Sequence, residues 1–201
     1  MPKHLIPLTL FAISMGFLET AVVVYLREIF YPEGFDFPLK VIEGKVATTE
    51  ILREAATILM LFTVSMVAAR RWIIRFAWFI FLFAVWDIFY YVFLWLILGW
   101  PESLFTWDIL FLIPTTWVGP VIAPVINSLT MILLAMVLIG ANEQTSGLVR
   151  VSGWEWGLLI IGSVITMAAY MEEYTRFILE RFTFSEWFSL SRQKEVMDYA
   201  A

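Results

Sequence analysis

The chain has 201 residues, of which 61% are hydrophobic and only 15% charged, with a formal net charge of −5. A water-soluble globule of this length cannot hide so much apolar surface in one core, and a disordered chain would not carry 18 Phe, 10 Trp and 7 Tyr. Both classes are excluded, and what remains is an all-α polytopic membrane helix bundle, a single integral membrane domain over residues 1–201.

Residue counts narrow the chemistry. Cysteine is absent and the only histidine is His4. Disulfides, thiolate metal sites, a Ser-His-Asp triad in the membrane and the usual haem, zinc or di-iron ligand sets are thereby removed. Neither GxxxxGK[ST] nor GxGxxG occurs, and no basic stripe is present, so nucleotide and nucleic acid are not expected partners. No cofactor and no metal site is expected.

A bilayer core of about 30 Å takes about 20 apolar residues as helix. The first such run is 5–25, closed by Arg27-Glu28 and longer than the apolar part of a cleaved signal peptide. Pro32, Gly34, Pro38 and Gly44 then punctuate a loop. The second span is 49–69, closed by Arg70-Arg71, and the third is 72–98. Residues 99–118, GWPESLFTWDILFLIPTTWV, hold an apolar stretch too short to cross, broken by Pro114. They predict a short interfacial helix or a re-entrant turn buried in protein. The fourth span is 120–139, with Pro120 in a first helical position. Gly119, Pro120, Ala123 and Pro124 would notch its face for close helix approach. The fifth span is 154–170, continued by a polar helix and tail over 171–201. No repeat of 20–50 residues is visible. Trp-Asp-Ile occurs at 86–88 and 107–109, a match short enough for coincidence.

Five spans put the termini on opposite sides. Arg70, Arg71 and Arg75 crowd against two spans on the N-terminal side, whereas the Trp-rich third loop has no Lys or Arg. The raw count of Lys and Arg favours the other side, eight against five, but density in short loops, which marks the cytoplasmic side, favours the N-terminal one, so the N-terminus is read as cytoplasmic, in a plasma membrane or the inner membrane of a bacterium.

An ionisable residue within a span costs several kcal/mol, about 2.5–3.5 on insertion scales, and is usually functional or paired. Glu19 lies inside the first span and Asp87 near the middle of the third. Glu50 and Glu54 stand one turn apart at the start of the second, beside Arg53. The first span ends and the second begins on the same side, so Glu19, Glu50, Arg53 and Glu54 are placed to meet, with Asp87 deeper. Tyr90 and Tyr91 share the helix face of Asp87 and can donate hydrogen bonds. Glu102 and Asp108 would stand at the mouth of such a cavity. The competing reading is structural: Arg53 neutralises a neighbouring glutamate, Asp87 is interhelical glue, and Glu50 and Glu54 lie at headgroup depth.

Three functions fit these residues. The first is proton- or cation-linked transport or permeation through the intramembrane carboxylates, suggested also by the broken segment. The second is an accessory or scaffold subunit, as a homo-oligomer or in a larger membrane complex, with the lipid bilayer as its other partner. The third is a cofactor-free membrane enzyme using paired acids on a lipid or isoprenoid.

Overall fold

A computed structural model describes residues 4–32, 45–144 and 149–181 of the chain. The described residues form five long helices and one small hairpin: α1 Leu5–Phe30, α2 Lys45–Ala68, α3 Trp72–Leu98, β1 Trp107–Phe111, β2 Trp117–Pro120, α4 Ile122–Gln144 and α5 Gly153–Arg181. All five helices are long and apolar enough to cross a membrane, α5 over Gly153–Glu172. The fold is thus an all-α membrane helix bundle. The third span has the bounds its apolar run sets. The others shift by a few residues or lengthen: α1 continues past Arg27, and α5 runs on beyond residue 170. The expected polar tail past residue 181 lies outside the described residues.

Helix α3 is the central element. It packs on α1, α2 and α4, while α5 leans mainly on the hairpin. The core gathers along α3, where Ala77, Trp78, Leu82 and Val85 meet Ala12, Leu61 and Leu138 from its neighbours. Helices α1 and α3 cross closely at Gly16. A Cβ at Gly16 would stand 2.9 Å from the Trp86 carbonyl oxygen and 3.1 Å from the Phe89 Cβ. One turn on, the Thr20 hydroxyl reaches the Tyr90 carbonyl at 3.0 Å. Small residues let two backbones approach, and a hydroxyl then bonds across. This notch lies in the first helix, whereas the sequence pattern placed one in the fourth.

Helix α2 is inside out by the standards of a soluble protein. Its buried residues are Glu50, Glu54, Thr57, Leu61 and Ser65, a stripe with helical spacing that is mostly polar. Its outer face shows Leu52, Leu59 and Val67, the last 88% exposed. Hydrocarbon around the bundle removes any drive to bury apolar side chains between helices, so polar groups take the inner face.

The segment before α4 corrects the expectation of a short helix. It is a two-stranded antiparallel hairpin pairing Trp107 with Pro120, Asp108 with Gly119, Ile109 with Val118 and Phe111 with Trp117, with an irregularity between Ile109 and Phe111. Thr106 and Leu104 extend it by accepting the Val121 and Ile122 N–H groups at 3.0 and 2.7 Å. Pro114 cannot continue a helix and favours extended backbone before it, and the run of β-branched and aromatic residues suits strands. Pairing satisfies the backbone groups that water would otherwise take. Pro120 therefore ends β2 rather than opening α4, and Gly119 faces Leu110 and Tyr170, a Cβ there meeting them at 3.3 and 3.6 Å. At the start of the segment Gly99, at φ 66°, ends α3 in the left-handed conformation, its N–H on the Trp95 carbonyl.

Candidate functional site

Chain direction sets the site's location. The end of α1, the start of α2, the end of α3, the hairpin and the start of α4 share one end of the bundle. Two polar clusters form there.

The first lies between α1 and α2. Arg53 donates from Nε to Glu50 Oε2 at 2.9 Å and from Nη1 to Glu19 Oε1. Thr57 approaches the other Glu19 oxygen at 3.5 Å. Glu54 lies in electrostatic range of Arg53, Glu19 and Glu50. Its own hydrogen bond goes elsewhere, to the Leu112 backbone N–H of the hairpin at 3.0 Å. Glu50 and Glu54 are buried between the helices, at 7% and 8% exposure. The cluster thus joins Glu19, Glu50, Arg53 and Glu54, three carboxylates to one guanidinium. Thr57 and the Leu112 N–H are parts of it that the sequence reading missed. Thr57 carried a usable signal, because it lies on the helix face of Glu50 and Glu54.

The second cluster corrects the position of Asp108. The sequence placed it with Glu102 at a cavity mouth. Glu102 is exposed, but Asp108 is buried at 2%. Strand β1 carries it inward, where Oδ1 lies 3.5 Å from Arg27 Nη2 and Oδ2 accepts the Tyr91 hydroxyl at 3.3 Å. The Trp100 ring stacks under the guanidinium, 3.8 Å from centroid to Cζ. Burial pushes the Asp108 carboxyl up to about 6, against the opposing pull of Arg27, the Ile109 N–H and the Tyr91 hydroxyl. Arg27 was read only as the end of a span, and its partner role has no local sequence signal.

Asp87 stands apart from the first cluster. Its Oδ2 accepts the hydroxyl of the buried Ser128 on α4 at 2.8 Å, as interhelical glue would. It lies in electrostatic range of Asp108. Tyr91 donates to Asp108 rather than to Asp87. Tyr90 packs its ring against Tyr91, centroids 4.9 Å apart, and lends its carbonyl to Thr20. On the far side Asn127 of α4 donates to the Tyr170 hydroxyl of α5 at 2.6 Å. Among the described residues no three His, Cys, Asp or Glu side chains group as metal ligands would.

The first cluster carries more acids than bases, three carboxylates beside one guanidinium. The second, closer to charge balance, ties the hairpin to α1 and α3. Fold and clusters together define a small multi-pass helical membrane protein with a buried acid–arginine site. Set against protein-family models, curated proteins and solved structures, the chain matches none.

Proposed function

We propose that the protein is a proton- or cation-linked transport or permeation protein, and that Glu19, Glu50, Arg53 and Glu54 form its ion site. One observation carries this reading. Two helices contribute three carboxylates around a single guanidinium, and hydrocarbon makes an uncompensated negative charge costly. A bound proton or small cation removes that imbalance, and its release restores it. Glu54 also touches the hairpin, so a change of charge in the site is felt by the element that closes this end.

The test is ion flux in proteoliposomes loaded with a pH-sensitive dye, under an imposed potassium diffusion potential. Wild type should move protons or the coupled cation, and Glu19→Gln or Glu54→Gln should lower the rate at least tenfold. Arg176→Gln, on an exposed turn of α5, should leave it unchanged. No wild-type flux with either polarity removes the reading.

A second reading is favoured by α5. None of the described residues in its span is buried, and Leu158, Ile160, Ile161, Val164 and Ile165 are each more than half exposed. That flank suits a partner in a homo-oligomer or larger membrane complex as well as it suits lipid. Purification in mild detergent separates the cases, since a chain that runs as a monomer is no accessory subunit.

The orientation proposed for this protein is N-terminus cytoplasmic, from the basic connections at that end. Because the chain has no cysteine, single cysteines at Arg70 and Glu102 are clean probes. A membrane-impermeant maleimide added outside intact cells should label the second and not the first.

A further inference from the structure

The end of the bundle opposite the carboxylates carries a different surface. The α2–α3 and α4–α5 connections lie together there, because Arg71 reaches from the first to the second. Its Nη1 donates to Asn142 Oδ1 at 2.8 Å and its Nη2 to the Val149 carbonyl at 3.4 Å. That bond brings Arg70 and Arg71 beside Arg150, and Arg75 stands one turn into α3 with its Nε on the Ala69 carbonyl at 2.8 Å. Arg70, Arg71 and Arg150 are exposed, and none of the four is in an ion pair among the described residues. The acids described at this end are Glu143 and Glu155. Glu155 is engaged locally: it accepts the Ser152 N–H at 2.6 Å while Ser152 Oγ accepts the Glu155 N–H at 3.3 Å, a capping box at the start of α5. Trp72 and Trp154, 63% and 75% exposed, flank the arginines, and such amphipathic rings settle at headgroup level.

We infer that this face binds the phosphate headgroup of an anionic phospholipid. Two features of this face fit that ligand. The guanidinium groups make no ion pair among the described residues, and the Arg71 bridge holds together the two connections that carry Arg70 and Arg150; planar guanidinium matches phosphate oxygens in paired hydrogen bonds. The exposed Trp72 and Trp154 place the same face at the depth of the headgroups, where a lipid is the phosphate source at hand. The bridge also gives the headgroup a structural role, since a lipid spanning Arg70 and Arg150 would brace the α2–α3 turn against α5, which has few other ties to the bundle.

The test is native mass spectrometry of the full chain released from mixed micelles of phosphatidylglycerol and phosphatidylcholine. The comparison is wild type against Arg70→Gln with Arg150→Gln, two positions that make no described side-chain hydrogen bond, so their loss leaves the fold intact. Wild type should retain phosphatidylglycerol in preference to phosphatidylcholine. The preference should fall about fivefold per arginine removed, about twenty-fivefold for the pair. Arg70→Lys with Arg150→Lys should keep most of it. Equal retention of the two lipids by wild type overturns the inference, and so does an unchanged preference in the glutamine variant. Displacement of the lipid by an equal concentration of soluble glycerol phosphate would also overturn it, showing a free-phosphate site instead.

Discussion

Arg27 and Asp108 stand 81 positions apart in the chain and 3.5 Å apart in the fold, both nearly excluded from solvent. One belongs to the end of α1 and the other to β1, so their pairing anchors the hairpin to the bundle. Removing either partner deprives the other of its opposing buried charge, which typically costs about 3–5 kcal/mol. Arg27→Met and Asp108→Leu should each lower the unfolding midpoint in detergent. The double variant should recover a large part of the loss, because both desolvated charges are then gone. Additive losses in the double variant would show that the two residues do not act as a pair.

The Asp108 carboxyl gives this anchor a pH dependence. Its pKa is raised in the fold, to about 6 from an ordinary value of 3.8. The folded state therefore binds more protons than the unfolded state between those values, and this group's contribution to stability falls as pH rises from about 4 to about 6. Infrared difference spectra should show carboxyl absorption titrating near pH 6, of which Asp108→Asn removes one carboxyl's share. The same variant should flatten the pH dependence of the unfolding midpoint in that window.

Among the described glycines, Gly16 should be the least tolerant of substitution. An added methyl would meet the backbone of α3 at Trp86, which cannot rotate away as a side-chain tip could. Gly16→Ala should cost about 1–3 kcal/mol, as overpacking does. Gly162→Ala has open space around it and should be neutral or stabilising by up to about 1 kcal/mol through helix propensity. Equal effects of the two changes on the unfolding midpoint would refute the close α1–α3 approach.

Between α3 and α4, the Ser128–Asp87 hydrogen bond should behave as ordinary interhelical glue. Ser128→Ala should destabilise by about 0.6–1.7 kcal/mol in a membrane setting. Asp87→Asn should cost less, because the amide oxygen still accepts the serine proton. If Asp87→Asn also abolishes flux in the proteoliposome assay while Ser128→Ala does not, Asp87 joins the ion path and is more than glue.

The membrane class and the five spans follow from sequence alone, because they depend on a local quantity, the length of uninterrupted apolar chain against the thickness of a bilayer. Helix α3 shows this most clearly, running Trp72–Leu98 as its composition requires. Part of the first cluster was legible for a similar reason. Glu50, Arg53 and Glu54 share one helix turn, and chain direction brings Glu19 to their side. What only the tertiary structure decided were the partners. Arg27 finds Asp108, Asp87 turns to Ser128, and residues 107–120 pair as strands, because buried charges and backbone groups must be satisfied by whatever the packing brings within hydrogen-bond reach. No local pattern encodes that choice. The 61% hydrophobic residues set where the chain resides, and the packing of α1, α2, α3 and the hairpin set which of its few charges meet.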